Sequence, residues 1–254
     1  MTHPFQDSWH PVSLSKGLHA GRAERAVVRG IDLAIWRGAD GKARAWENRC
    51  PHRGMRLSFG FVRENRLTCL YHGWGYDGDG ACVSIPAHPG LTPPKTIKVS
   101  RYQCHEAGGL IWVAQEAAVE PAPEVLGEWI ACQTLKFDCS IDDAETALLK
   151  HRSALQMGTE DGSVAADSAP VVKLNEALLQ IVLAPGVEAL CALQPIDEFT
   201  TAVHLLVSAS EATGDVAPEQ RCARWGRHVR RQIDAQPTRS SAFPISETQL
   251  AVAS

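Results

Sequence analysis

Four residues in two short runs carry the clearest chemistry in this chain of 254 residues. Cys50 and His52 lie in CPHRG (50–54), and Cys69 and His72 lie in CLYHGW (69–74), giving a C-x-H … C-x2-H pattern. Two thiolates and two imidazoles suit either a tetrahedral zinc ion or a 2Fe-2S cluster. Structural zinc sites usually draw their cysteines from one C-x2-4-C knuckle and their histidines from one H-x3-5-H segment. Here each run mixes the two types. A cluster with both thiolates on one iron and both imidazoles on the other needs that mixing, because each loop must reach across it. Zinc stays as the rival for this donor set. Chance juxtaposition in a core fits poorly, since Gly54, Gly73 and Gly75 flank the four residues, and glycine serves where backbone turns sharply or approaches a ligand.

The run CPHRGMRLSFGFVRENRLTCLYHGWGYDGDGACVSIP (50–86) resembles the Rieske domain of the Rieske non-heme iron oxygenases, particularly their aromatic-acid and O- or N-demethylating branches. Trp9-His10-Pro11-Val12 and IWRGADGKARAWENRC (35–50) resemble that family's opening strands, and GGLIWVA (108–114) its closing strand. About the first 115 residues are covered. The resemblance implies a Rieske 2Fe-2S cluster on Cys50, His52, Cys69 and His72, with Arg53, Gly54, Gly73, Trp74 and Tyr76 around it. It implies His52 and His72 as the exposed ligands, and His72 as the electron exit, facing an acidic residue of a neighbouring subunit. High-potential respiratory relatives staple the two loops with a disulfide; Arg53-Gly54-Met55 and Leu70-Tyr71 hold no such cysteine. Those relatives also carry a serine donor where this chain has Trp74, which implies a lower potential here, while Tyr76 matches the position of a second donor.

Composition bounds the rest. With 44% hydrophobic and 21% charged residues, the chain suits two modest domains with real cores. A net charge of −4 and the lack of a long basic run argue against nucleic acid or an anionic membrane as partner. The start, MTHPFQDSWHP, has no apolar signal core, and the longest apolar stretch (177–193) is broken by Gln180, Pro185, Gly186 and Glu188. A cytoplasmic protein is expected. Cys82, Cys104, Cys132, Cys139, Cys191 and Cys222 share no ligand-like spacing and read as small core residues in a reducing compartment.

The elements that must position the site read as mainly β, α+β. A hairpin of 23–36 and 42–48 turns around Gly38-Ala39-Asp40-Gly41, a second tight turn falls at Asp77-Gly78-Asp79-Gly80, and the prolines of 86–94 mark an extended loop. This gives a Rieske-type β-sandwich over 8–115, then an acidic, Pro-containing linker at 116–128. Ser140 and Asp143 suggest a capping box opening a helix over 141–157. Strands follow at 178–194 and 200–210, separated by a turn at 195–198, and an Arg-rich amphipathic helix closes at 218–235. By resemblance, 129–236 is a shortened helix-grip-like sheet with a long C-terminal helix. Residues 237–254 form a small, polar tail, expected to be mobile or partner-bound.

In the resembled family the second domain holds a mononuclear ferrous ion on two histidines and one carboxylate, usually as Asp-x2-His-x4-His. This chain lacks that motif; beyond residue 115 only His151, His204 and His228 remain, no two closer than 24 residues. Asp143 and His151 would share a helix face but be separated by a rise of about 12 Å, too far for one metal ion. Asp142, Asp143 and Glu145 read as carboxylates opposing a helix macrodipole. No mononuclear iron is expected in this chain. The leading expectation is therefore a Rieske electron-transfer subunit, taking electrons from a flavin or ferredoxin-type reductase and passing them to mononuclear iron in a partner catalytic subunit. Such a hetero-oligomer could close as a trimer-based ring. The alternatives are a self-sufficient hydroxylase or O/N-demethylase of a small aromatic or amine with an atypical iron site, and a structural or ferredoxin-like subunit.

Overall fold

Period-two alternation dominates the first half and organises it around one curled sheet. The computed structural model describes residues 8–115, 121–152, 171–184, 187–208 and 217–235. Strands β1 (His10–Leu14), β2 (Ala23–Val28), β3 (Ile31–Arg37) and β4 (Ala43–Glu47) precede the cluster-type loops. Within the loop region lie four short strands, β5 (Phe61–Arg63), β6 (Arg66–Thr68), β7 (Gly75–Tyr76) and β8 (Cys82–Ser84), and β9 (Arg101–Ala107) and β10 (Leu110–Ala114) complete the first half. One antiparallel sheet has the order β1-β10-β9-β4-β3-β2, and a second, smaller one the order β5-β6-β7-β8.

Alternation along two strands assigns the faces. On β3, Leu33 and Ile35 join Val12, Val28, Ile111 and Val113 in the interior of the curled sheet. Ala34 and Trp36 point the other way, with Trp46, into the core beneath the small sheet and its loops. On β10, Ile111 and Val113 face the interior, whereas Leu110, Trp112 and Ala114 face outward to the second half of the chain. Strands buried on both faces read as continuous apolar runs, as LAIW and LIWVA do.

The second half is a five-stranded antiparallel sheet under two helices. It comprises β11 (Trp129–Phe137), α1 (Ile141–Lys150), β12 (Val171–Asn175), β13 (Leu178–Ala184), β14 (Val187–Pro195), β15 (Thr201–Ser208) and α2 (Pro218–Asp234), with sheet order β11-β15-β14-β13-β12. One face, with Leu179, Ile181, Leu193, Val203 and Leu205, packs against Leu148 of α1 and Trp225 and Val229 of α2. The other, with Leu178, Leu190 and Leu206, packs against Leu110 and Trp112 of the curled sheet.

Several boundaries differ from the sequence expectation. Residues 23–36 are two strands, because Arg29-Gly30 closes a two-residue hairpin with both φ angles positive, 47° and 79°. Only Ala43–Glu47 then forms the next strand. The helix at Ser140 ends at Lys150, with His151 as C-cap donating its N–H to the Ala147 carbonyl; the expected continuation from 153 lies outside the described residues. Strand 178–194 is the β13–β14 hairpin, and its turn at 185–186 lies outside the described residues too. So do 116–120 of the expected linker and 209–210 at the end of the last expected strand. Strands β11 and β12 carry only a weak signal in the sequence. Beyond the opening Trp129-Ile130, Gln133, Thr134 and Lys136 in one and Lys173 and Asn175 in the other dilute the apolar pattern, as befits the two edges of a sheet. The helix at 218–235 stands as read, and the tail 237–254 lies outside the described residues.

Candidate iron-sulfur centre

The two loops share one backbone design. In the first, the Gly54 N–H donates to the Cys50 carbonyl at 2.8 Å and the Cys50 N–H to the Met55 carbonyl at 2.8 Å. In the second, the Gly73 N–H donates to the Cys69 carbonyl at 3.1 Å and the Cys69 N–H to the Trp74 carbonyl at 2.9 Å. Each loop therefore closes four and five residues after its cysteine, through a glycine at φ +72° or +70°. That left-handed conformation explains glycine at both positions. The histidine sits two residues after the cysteine in one loop and three in the other, so the loops present non-equivalent faces.

The side chains sort by type. Cys50 and Cys69 are buried, each 2% exposed, with their thiols in hydrogen-bonding reach of one another. His52 and His72 lie outward of them, their ring centroids 4.6 Å apart, with His72 exposed and His52 half-buried. Thiols paired inside and imidazoles paired outside form the donor set of a two-iron centre in which two cysteines hold one iron and two histidines the other. Among the described residues no three His, Cys, Asp or Glu side chains converge on a single metal position. Two separated pairs are the arrangement that a two-metal cluster demands and one tetrahedral ion does not. The four residues fit the group. When bound, such a cluster supplies reversible one-electron storage.

Surrounding groups tune and hold the pairs. Tyr76, fully buried, places its hydroxyl 3.1 Å from Cys50 Sγ, and burial, then Cys50 itself, pushes its ionisation far above the usual phenol range, so it stays a donor. Backbone N–H groups of Tyr71 and His72 donate to Cys69, while burial, the larger influence, raises that thiol's pKa. Trp74 stacks on His52 with centroids 4.3 Å apart and planes 5° from parallel. Burial, then His72 and Arg53, lowers the His52 pKa. Arg53 and Gly54 lie exposed at the first loop's tip.

Asn48 and Ser58 belong to the site although the sequence does not mark them. Asn48 donates to Asp32 Oδ1 and Ser58 Oγ, both at 2.9 Å, and accepts from the Ser58 N–H at 2.8 Å. It clamps the base of the first loop to β3 and to the short 3-10 turn Leu57–Phe59. No spacing rule identifies such a residue; only its adjacency to Cys50 hints at it.

In the second half, His204 is buried, its Nδ1 2.8 Å from Thr134 Oγ1 and its Nε2 2.9 Å from Gln194 Oε1. His151 and His228, distant in sequence, are neighbours in the fold, with ring centroids 5.6 Å apart. Asp143 is occupied as the N-cap partner of Ser140, accepting from its hydroxyl at 2.8 Å and donating its N–H back at 3.1 Å. Glu145 pairs with Lys173 at 3.0 Å. These carboxylates are helix-end and surface groups, as the sequence suggests.

Both loops fall within residues 8–102, which match the Rieske [2Fe-2S] domain family. Among curated proteins, the chain is similar to oxidoreductase NdmD of Pseudomonas putida, 41% identical over 107 residues, which are 42% of this chain and 18% of that protein. It is also similar to methylxanthine N1-demethylase NdmA of the same species, 37% identical over 116 residues, 44% of this chain and 33% of that one. The chain thus spans between about a fifth and a third of the length of these relatives. The solved structure of Pseudomonas putida CBB5 NdmB superposes with a TM-score of 0.68 at 20% identity, covering 91% of this chain and 84% of that one. Residues 8–102 are a Rieske domain, and the described residues as a whole share the fold of that NdmB structure. No helix is long and apolar enough to cross a membrane among the described residues.

Proposed function

We propose that this chain is a cluster-bearing electron-transfer component of a Rieske oxygenase system, with Cys50, Cys69, His52 and His72 holding one 2Fe-2S cluster. Electrons enter from a flavin or ferredoxin-type reductase and leave through exposed His72 to mononuclear iron in a partner catalytic subunit. The observation that carries this reading is the contrast between the two halves. In the first, Cys50 lies beside Cys69 and His52 beside His72; in the second, His204 is committed to Thr134 and Gln194, and Asp143 to a helix cap.

The face that would meet a partner supports transfer between chains. Leu70, Tyr71, Phe59 and Phe61 are each 42–58% exposed, alongside exposed Arg53, Arg56, Arg63 and Arg66. Segment 49–72 holds five arginines against one glutamate, a net +4 in a chain of net −4, so the remainder carries −8. Such a concentrated basic face steers acidic partners to the cluster. In this reading 8–115 is the cluster domain, 116–128 the linker and 129–236 the assembly domain, working in the cytoplasm.

A second reading, the self-sufficient oxygenase, is favoured by the nearness of His151 and His228. One experiment separates the two. The purified, chemically reduced chain is exposed to oxygen with a panel of small N-methyl and O-methyl aromatics, and formaldehyde is measured. The transfer reading expects none from the chain alone, and product once a longer chain bearing Asp-x2-His-x4-His is added; product from the chain alone would establish the second reading instead.

A further inference from the structure

The strands and helices of the second half bring together two cysteines that lie 90 residues apart in sequence. Cys132 sits in edge strand β11 and Cys222 in α2, which packs over that strand. Around Cys132 the pairing with β15 shifts register: Ala131 faces Leu206, Gln133 faces Leu205, and Cys132 is the extra residue between them. A bulge of this kind re-aims a side chain. Gln133, Leu135 and Phe137 face the helices and Ala131 the curled sheet. Strict alternation from Gln133 would turn Cys132 away from α2; the bulge turns it toward the helix, where it packs with Cys222.

Neighbouring contacts hold the register. Gln133 Nε2 donates to the Ala223 carbonyl at 2.8 Å, anchoring the residue after one cysteine to the residue after the other. A Cβ on Gly226, one turn further along α2, would collide with Leu205 Cδ1 and come within 2.7 Å of Leu135 Cδ1, so helix and sheet are in close approach there. The Cys222 S–H is directed to the Leu206 carbonyl at 4.0 Å and the Cys132 S–H to the Ile130 carbonyl at 3.6 Å, with the two sulfurs close enough to shift one another's ionisation. Cys222 is fully buried, whereas Cys132 is half-buried at the sheet edge.

We propose that Cys132 and Cys222 form a peroxide-reactive dithiol, in which Cys132 at the sheet edge is the attacking sulfur and buried Cys222 the resolving one. The Cys132 thiolate attacks one oxygen of a hydroperoxide such as hydrogen peroxide; the S–O bond forms, the O–O bond breaks, and the departing hydroxide takes a proton to become water. Cys222 then attacks Cys132 Sγ; the S–S bond forms, the S–O bond breaks, and the second hydroxide takes the proton released by Cys222. Two electrons pass from the thiols to the peroxide, leaving one disulfide and two waters. The asymmetry matches the roles: hydrogen bonding from Cys222 lowers the Cys132 pKa below the ordinary thiol value and raises that of Cys222. Half-buried Cys139 is the contrast, pushed up to about 11 by burial and by Asp143, Asp138 and Asp234. Reactivity follows thiolate fraction and access. The resulting bond would staple α2 to the sheet edge across a long loop.

The test treats the cluster-loaded protein with a small excess of hydrogen peroxide, quenches with N-ethylmaleimide and maps peptides by mass spectrometry. The expected product is a disulfide-linked peptide pair containing Cys132 and Cys222, removed by dithiothreitol. In untreated protein Cys132 should alkylate at least about tenfold faster than Cys139 at neutral pH. Cys222→Ser should halt the reaction at a Cys132 sulfenic acid, trapped by dimedone. Recovery of both thiols alkylated after peroxide, pairing of Cys132 with another cysteine, or faster alkylation of Cys139 would each overturn the proposal. The wild-type map decides even if the serine variant folds poorly.

Discussion

At the proposed cluster, much turns on one hydroxyl, that of Tyr76. Its O–H lies 3.1 Å from Cys50 Sγ in a buried position, and a thiolate that gains negative charge on reduction is a better acceptor than before. Tyr76→Phe removes that donor without changing ring packing against Trp46, 6.5 Å away. If the bond favours the reduced centre by about 1 kcal/mol, the midpoint potential falls by about 40 mV, measurable by redox titration of the visible spectrum. An unchanged potential would mean that the hydroxyl does not couple to the centre. The four candidate ligands were legible because residue type and spacing encode them. The tyrosine was legible only through resemblance. Asn48 and Cys132 were not legible, since their roles arise from partners brought together by folding, Ser58 and Asp32 for one and Cys222 for the other.

The loops and caps carry the next layer. Gly54 and Gly73 both sit at positive φ, where a Cβ costs about 1–2 kcal/mol. Their surroundings differ: a Cβ on Gly73 would meet Pro86 Cγ at 3.0 Å, whereas on Gly54 it meets only the flexible Arg49 side chain at 3.4 Å. Gly73→Ala should therefore lower cluster occupancy and thermal stability more than Gly54→Ala, read by iron content and melting temperature; equal effects would locate the whole cost in the backbone. At α1, Ser140→Ala removes the acceptor for the Asp143 N–H and should cost about 1 kcal/mol in urea unfolding, with cluster spectra unchanged. That cap was readable three residues ahead of an apolar run, as was α2 from its Arg-rich amphipathic period. The early end of α1 and the edge strands β11 and β12 were harder. No glycine or proline lies close after Lys150 to announce the helix stop, and edge strands need only half an apolar face.

At the scale of the whole molecule, the curled sheet and the second sheet are joined by a seam that contains the neutral, buried His204. The Arg29 and Gly30 N–H groups at the β2–β3 turn donate to the Pro195 and Ile196 carbonyls, both at 2.7 Å. Gln194 Nε2 donates to the Val27 carbonyl at 2.8 Å, which turns Gln194 Oε1 toward His204 and places the proton of that imidazole on Nε2; Thr134 then donates to Nδ1. A second proton on His204 would break this chain. Burial holds its pKa at about 4, and burial together with Arg29 does the same for His10 on β1. The sign follows: between about pH 6.5 and 4 the unfolded chain takes up protons that the folded chain refuses, so stability is full above the unfolded value and falls as pH drops through this window. At pH 5 each histidine costs about 2 kcal/mol relative to pH 7. Acid should thus loosen the seam between the first half, with its candidate cluster loops, and the proposed assembly domain. His204→Gln keeps an amide that can bridge Thr134 and Gln194 but cannot titrate. Urea unfolding of this variant should show a drop from pH 7 to pH 5 smaller than wild type by about 2 kcal/mol, and the difference between the two proteins cancels acid effects at the cluster. Identical pH slopes would show that the seam histidine does not govern acid stability.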